Sequence, residues 1–299
     1  READDASMVL FRASGGDDLI SRDGTIYIYP TSESFDADAI NRQRRLTQGA
    51  QIQELTATDL QDLEPNLAPI FPHAVLYPNG FTILDPKQMT SRMVDHLCHT
   101  GGHFIKGEVS AVEAQSADSV AFKVNGNRHH YDQAVLAGGA WSMQIAKGGC
   151  EKLPLDTERG YHVLFSESAE LLNRPVGFAD AGFYMTPMYQ GLRAAGTVEL
   201  GGLSAAPNPE RLSYIERRVR QALPDAGPVS DTWLDFRPTL TDSLPVIGRS
   251  RPNPNLIFAF GHHHLGLTLG GITGKLVSEI AAGAIPSLDV TPFRPDRFS

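Results

Sequence analysis

Two short apolar segments run directly into glycine, and this pattern constrains the fold more than any other feature of the sequence. Residues 134–137 precede a Gly-Gly pair, and residues 255–260 precede Gly261, after which a helical pattern continues to Ala282. Strands that are apolar on both faces are typical of a covered sheet, and glycines at strand ends let backbone approach a ligand. The sequence therefore predicts buried strands of an open sheet with a ligand site at their ends.

A second group of segments has the pattern of an antiparallel sheet. Residues 161–165 alternate between apolar and polar side chains, and residues 183–188 and 192–198 flank a Tyr-Gln-Gly turn as a hairpin would. A helix with one apolar stripe is predicted from the Asn208-Pro209 pair to Leu223. The fold class is therefore predicted to be mixed α/β (α+β).

Composition and charge exclude several classes of function. The formal net charge is -9, which disfavours binding to nucleic acid, and the basic runs at residues 42–45 and 217–220 have the pattern of solvated helix faces. Cys98 and Cys150 form no metal-binding spacing. No apolar run is long enough to span a membrane and no signal peptide is evident, so a cytoplasmic location is expected. A peripheral contact with the inner membrane or with a partner subunit is a further expectation.

Common catalytic motifs are absent from the sequence. It contains no G-x-G-x-x-G, no complete P-loop, no G-x-S-x-G and no H-E-x-x-H, which argues against nucleoside triphosphatases, serine hydrolases and zinc proteases. The three consecutive histidines at residues 262–264 cannot all face one ion, because successive side chains point in different directions. No metal site is therefore predicted.

Two features are compatible with a flavin site that binds a carboxylate. The helix that follows Gly261 would begin with free N–H groups and a positive dipole end, which suit the electron-rich edge of a reduced flavin. Arg237 is predicted at the end of a strand, where its planar fork could bind a carboxylate. From the residues alone, an ordinary tight turn and a surface ion pair are the commoner interpretations of these two features.

The segment 236–248, Phe-Arg-Pro-Thr-Leu-Thr-Asp-Ser-Leu-Pro-Val-Ile-Gly, resembles a signature of the FAD-dependent D-amino-acid oxidase and dehydrogenase superfamily, which includes glycine oxidase-like enzymes. Residues 255–269 resemble the second part of that signature, in the same order. Residues 137–142, 159–162 and 196–199 also agree with the family pattern. The resemblance extends from about residue 23 to residue 283.

The resemblance implies a substrate-binding domain with an antiparallel sheet and the remainder of an incomplete, Rossmann-like FAD-binding domain. Residues 1–85 and 151–240 would form the substrate-binding domain. Residues 86–150 and 241–285 would belong to the FAD-binding domain, and residues 286–299 would form a tail.

The resemblance also implies roles for individual residues. Arg237 matches the arginine that binds the substrate carboxylate, His264 occupies a position where some relatives place an arginine that contacts substrate, and Tyr161 and Tyr184 would line the substrate pocket. The residues expected to contact FAD are Val109, Ala137, Gly138, Trp141, Gly261, His262, His263, Leu265, Gly266, Leu267 and Thr268.

The activity that this family implies is oxidation of the CH–NH2 group of a small D-amino acid, with FAD as cofactor and a quinone or oxygen as electron acceptor. One alternative is an oxidase of glycine, sarcosine or a proline derivative. Another is a truncated or non-catalytic subunit that does not bind FAD alone.

The sequence departs from the family pattern in one respect. The family begins with a strand, G-x-G-x-x-G and a helix, and this unit is missing from a chain that starts at Arg1 rather than methionine. We therefore expect a carboxy-terminal fragment, or a chain that needs a partner, with weak FAD binding. Loss of that strand would also expose the edges of the strands at residues 134–137 and 255–260.

Overall fold

The computed structural model describes residues 2–116, 119–146 and 152–298, so Cys150 and the predicted domain boundary beside it lie outside the described residues. The α-helices are α1 Glu2–Ala13, α2 Ser32–Ala37, α3 Ala39–Thr47, α4 Ala57–Leu63, α5 Pro86–His99, α6 Ser142–Ile145, α7 Pro209–Ala222 and α8 Gly266–Ala281. The strands are β1 Ile20–Ser21, β2 Thr25–Tyr29, β3 Gln53–Thr56, β4 His73–Tyr77, β5 Thr82–Ile83, β6 Val109–Ser116, β7 Ser119–Val124, β8 Asn127–Tyr131, β9 Ala134–Leu136, β10 Leu155–Phe165, β11 Val176–Phe178, β12 Phe183–Met188, β13 Gly191–Glu199, β14 Asp231–Leu240, β15 Val246–Arg249 and β16 Leu256–Phe260.

The largest element is an eight-stranded sheet with the order β14-β10-β13-β12-β11-β2-β4-β3. Its strands pair antiparallel, apart from the parallel pair β11 and β2. The hairpin predicted from residues 183–198 is confirmed as β12 and β13.

Alternation of side chains makes this sheet two-faced. In β10, Tyr161, Val163 and Phe165 are buried, while the residues between them are partly exposed. The buried residues join the main hydrophobic core, against which α7 packs Ile215 and Val219. Because successive side chains of a strand point to opposite faces, the other face of the sheet is left free of this core.

Three smaller sheets complete the structure: β15-β16-β9, β6-β7-β8 and β1-β5. The strand β16 lies between β15 and β9 and leads into α8, as the sequence predicts. The expectation of an exposed edge is wrong for β16, which has a neighbour on each side, whereas β9 lies at the edge of this sheet in the described part of the chain. The strand β9 pairs with β16, and its central Val135 is 46% exposed, so the prediction that this strand is wholly buried is also wrong.

The mixed α/β fold class is confirmed, and local sequence signals mark the starts of two helices. Thr56 and Asp59 form a capping box at the start of α4, and Asp85 caps α5. Residues 32–47 form two helices, α2 and α3, that meet at Asp38. The division into two discontinuous domains stays a prediction.

The basic run on α3 is not a solvated face throughout. Arg42 is buried, its guanidinium lies 3.8 Å from the centre of the Phe35 ring, and its Nε bonds to Glu54. The sequence prediction was wrong here because an arginine can stack on an aromatic ring and pair with a carboxylate at the same time.

No helix in the described part of the chain is long and apolar enough to cross a membrane.

Helices α1 and α8 pack closely at Gly271. A Cβ atom added there would lie 2.5 Å from the backbone nitrogen of Ser7, whereas one added at the neighbouring Gly270 would meet no atom within 4 Å. The close approach of the two helices therefore depends on the missing side chain at Gly271.

We predict opposite effects for alanine at these two neighbouring glycines. Gly271→Ala should lower the free energy of unfolding by about 1–3 kcal/mol, because the helices must move apart. Gly270→Ala should raise it by about 0.5–1 kcal/mol, because alanine favours an exposed helix interior. Urea unfolding of both variants measures the difference, and equal effects would contradict the packing described for α1 and α8.

Candidate active site

The side chains on the free face of the eight-stranded sheet form the candidate site. His162 of β10 pairs with Trp233 of β14, and their rings stack with an interplanar angle of 8°. In β13, Arg193 lies between the buried Leu192 and Ala194 and so points to the same free face. The free face of the sheet therefore carries polar, aromatic and charged side chains, where a covered sheet would carry apolar ones.

Arg237 lies on this face, inside β14 rather than at the end of a strand as predicted. Its guanidinium rests on Gly160 of the neighbouring strand, where any Cβ would clash with it. Its Nη1 donates a 2.8 Å hydrogen bond to the carbonyl oxygen of Thr197. Burial lowers the pKa of Arg237 below its ordinary value, an effect that the charges of Asp235 and Glu158 oppose.

A bulge in β13 supplies the acceptor for Arg237. The pairing of β10 with β13 shifts register between Arg159 and Tyr161, so residues 197 and 198 have no direct partner on β10. Thr197 has a φ of 60°, which is unusual for a β-branched residue. The chain thus holds a strained backbone conformation beside the arginine that it positions.

Tyr184 also lies on the free face and rests on a glycine. A Cβ added at Gly177 would lie 2.7 Å from the Tyr184 ring. The Tyr184 hydroxyl is hydrogen-bonded to that of Tyr27, and the two rings meet edge to face. Burial raises the pKa of Tyr184, and the neighbouring Tyr27 adds to this, so the phenol stays protonated at neutral pH.

His162 is held uncharged on the same face. Burial, and then the positive charge of Arg193, lower its pKa to about 4. Burial also lowers the pKa of Arg193, and the charge of Arg237 lowers it further while Asp235 opposes both. The two guanidinium groups are therefore near enough to affect each other.

The segment between β16 and α8 reaches the same strand as Arg237. The imidazole of His263 lies 3.4 Å from both the backbone nitrogen of Leu240 and the hydroxyl of Thr239. His263 has a φ of 52°, and Gly261 has a φ of 85°, so this turn is tight. Arg237 and Leu240 are three positions apart on β14, which places the predicted carboxylate site beside the predicted flavin turn.

The segment after β9 contacts the same strand from another side. Trp141 meets Phe236 edge to face at 5.5 Å between ring centres. Ala137 is exposed, and Gly138 lies close to the side chain of Ile145. Both loops expected to carry cofactor contacts therefore pack against β14.

The start of α8 has two features that fit FAD. Leu265 occupies the N-cap position without a side-chain hydrogen bond, so first-turn N–H groups are left for another partner. Leu267 and Thr268 line a cavity of about 590 Å³ together with Phe81 and Ile83. These features suit the flat, partly apolar ring of a flavin and its electron-rich edge.

The sequence has no G-x-G-x-x-G motif, which is the motif that would bind the pyrophosphate end of FAD.

The other predicted cofactor contacts lie at several places in the structure. Val109 begins β6 and is partly exposed. His262 is partly buried and bonds through Nε2 to the Thr273 hydroxyl at 2.9 Å, and burial lowers its pKa. His264 and Gly266 are exposed at the turn.

Tyr161 is a predicted substrate residue that the structure does not bring to this face. It is 2% exposed and lies in the main core, and its hydroxyl donates to Glu199 at 2.6 Å. Tyr161 follows Gly160, and adjacent strand residues point to opposite faces, so the same strand that supports Arg237 turns Tyr161 away.

The sequence did not predict a functional role for four residues of the free face, namely Tyr27, His162, Arg193 and Trp233. His162 lies in the segment 159–162 that agrees with the family pattern but was given no role, and the other three belong to none of the quoted motifs. The alternation of residues 192–195 carried a usable signal, because a charged residue between buried positions in a predicted strand marks the face that is not packed.

Comparison with known proteins identifies the family. The family model described as FAD dependent oxidoreductase (DAO) matches residues 4–280 of this chain. The chain belongs to the DAO family of FAD-dependent oxidoreductases. The flavin-dependent enzyme class, the FAD cofactor and the family resemblance predicted from the sequence are thereby confirmed.

Relatives and solved structures agree with this assignment. The chain is 32% identical over 294 residues to a D-amino-acid oxidase of Bradyrhizobium diazoefficiens, covering 97% of this chain and 70% of that protein. It is 25% identical to a glycine oxidase of Pseudomonas putida, covering 96% and 78%. The crystal structure of glycine oxidase from Geobacillus kaustophilus shares the fold with a TM-score of 0.83 at 22% identity, covering 96% and 78%.

The neutral state of His162 predicts a pH dependence of stability. The unfolded chain binds a proton at this histidine from about pH 6.5 downwards, whereas the folded chain resists protonation until about pH 4. The contribution of the neutral His162 to the free energy of unfolding is therefore fully present above pH 6.5 and is lost as the pH falls towards 4. Because the ring is partly exposed, we expect a loss of about 1–3 kcal/mol.

His162→Phe should abolish that loss, since phenylalanine can stack on Trp233 and does not titrate. Urea unfolding at several pH values between 4 and 7 measures how the free energy of unfolding depends on pH in wild type and in the variant. His130→Phe, at an exposed position of β8, serves as the control and should leave the slope unchanged. A slope that is the same in wild type and His162→Phe would show that His162 does not carry the effect.

Proposed function

We propose that this chain carries the substrate-binding site of an enzyme that oxidises the CH–NH2 group of a small D-amino acid to an imine, which water converts to an oxo acid and ammonia. The observation that carries the proposal is the position of Arg237 on the free face of the sheet, three residues of β14 away from the contact with the turn before α8. The 32% identity to a D-amino-acid oxidase supports a D-amino acid as substrate.

The carboxylate would bind to Arg237. Its guanidinium is partly buried, and its hydrogen bond to described residues is the one from Nη1 to Thr197, which leaves other N–H donors for a ligand. A planar guanidinium binds a carboxylate through two parallel hydrogen bonds, and partial burial strengthens them. The contact with Gly160 fixes the side chain in advance, which reduces the entropy lost on binding.

Positioning would account for most of the catalysis by this chain. With the carboxylate on Arg237, the Cα–H would face the cofactor side of the site, and Tyr184 on the same face of the sheet would border the substrate. FAD, when bound, supplies the two-electron acceptor. No side chain need remove a proton if the substrate amine binds uncharged, so the contribution of the chain is orientation and the exclusion of water.

The final electron acceptor is proposed to be oxygen or a quinone. Hydrogen peroxide formed in step with D-alanine consumption would identify oxygen, and reduction of a quinone analogue without peroxide would identify a quinone.

Arg237→Lys tests the proposed role of the arginine. We expect the KM for D-alanine, and the dissociation constant of the non-oxidised carboxylate propionate, to rise at least about tenfold, because lysine cannot form the bidentate contact. Steady-state kinetics with added FAD gives the first value, and titration calorimetry of the chain with propionate gives the second.

Arg218→Lys is the matched control. Arg218 lies on α7, on the other side of the sheet, and pairs with Asp180. The Arg218→Lys variant should bind propionate with the affinity of wild type. Unchanged propionate affinity in Arg237→Lys would remove the carboxylate site from the proposal, and a chain that shows no turnover while it still binds propionate through Arg237 would favour the non-catalytic alternative.

A further inference from the structure

The free face holds a second arginine that the proposed binding mode does not use. Arg193 is partly buried, and its Nε is shielded from solvent without a hydrogen-bond partner among the described residues. A shielded guanidinium nitrogen without an acceptor loses free energy relative to one in water, so such groups usually have a ligand or a partner.

The pairing of the strands places Arg193 on the same free face as Arg237. Arg193 pairs with Leu164 of β10 on one side and with Thr186 of β12 on the other. Tyr184 is therefore its diagonal neighbour on the same face, and Arg237 is near enough for its charge to lower the pKa of Arg193. Arg193 and Arg237 thus lie at two different positions on the free face of the sheet.

Two guanidinium groups on one face suit a ligand with two negative groups. Arg193 and Arg237 carry two positive charges, Asp235 and Glu158 carry two negative charges that act on Arg237, and His162 is neutral. A dicarboxylic amino acid offers one carboxylate to each arginine, whereas a monocarboxylic amino acid on Arg237 leaves Arg193 without one.

We propose that Arg193 binds a second, side-chain carboxylate, so that the preferred substrates are short dicarboxylic D-amino acids such as D-aspartate. This inference rests on the proposed function, in which Arg237 binds the α-carboxylate. Arg193 would then determine specificity rather than take part in the oxidation.

Titration of the chain with two probes distinguishes the role proposed for Arg193 from the role proposed for Arg237. Succinate carries two carboxylates and propionate carries one, and neither is an amino acid that the enzyme could oxidise. We expect wild type to bind succinate at least about tenfold more tightly than propionate, because a second charge-assisted pair forms. Arg193→Met should remove most of that preference, and Arg193→Lys should keep part of it.

The controls distinguish failure of this inference from failure of the proposed function. Arg218→Met, which removes an arginine outside the site, should keep the succinate preference. Equal affinity of wild type for both probes, or a preference that survives in Arg193→Met, overturns the inference while leaving Arg237 in its role. If propionate affinity is also independent of Arg237, the proposed function fails as well.

Kinetics with FAD provide a second readout. The ratio of kcat/KM for D-aspartate to that for D-alanine should fall at least about tenfold in Arg193→Met, with the change mainly in KM. Equal ratios in wild type and Arg193→Met would overturn the assignment. Circular dichroism of the variant shows whether it is folded, and Arg193→Lys gives a second test if the methionine variant is not.

Discussion

The guanidinium of Arg237 lies directly on the backbone of Gly160, and the arrangement of the free face depends on this contact. A side chain at residue 160 would occupy the space that the guanidinium fills. The bulge in β13 turns the carbonyl of Thr197 towards the same guanidinium and completes its support. One glycine and one bulge thus give a long, flexible side chain a defined position before any ligand arrives.

The strand β14 joins the two halves of the site. It forms the edge of the eight-stranded sheet next to β10, and it carries Arg237 in its second half. Trp141 packs on it at Phe236, and His263 contacts it at Leu240. The loops that the family resemblance assigns to the cofactor therefore approach the same short stretch of backbone as the residue assigned to the substrate.

Local signals in the sequence were enough to predict most of the regular structure. The Asn208-Pro209 pair predicts the start of α7, and the cap at Asp85 predicts the start of α5, because caps and prolines act on their own neighbours in the chain. The turn from β16 into α8 was predicted from another local signal, the glycine that follows an apolar strand.

The composition of the free face could not be predicted in the same way. Arg193 and His162 owe their surroundings to strands that are distant in the chain, and their burial depends on the pairing of β10, β13 and β14. Tyr161 shows the opposite error: it was placed in the pocket by resemblance, and the alternation of β10 turns it into the core. Exposure of Val135 likewise depends on which strands lie beside β9.

Propionate binding by Gly160→Ala tests most directly whether the contact between Arg237 and Gly160 creates the carboxylate site. Alanine at this position leaves every charge in place and displaces only the guanidinium. We expect the dissociation constant for propionate, measured by titration calorimetry, to rise at least about tenfold, because the arginine is no longer held in its binding position. A folded Gly160→Ala chain that binds propionate as tightly as wild type would contradict the account.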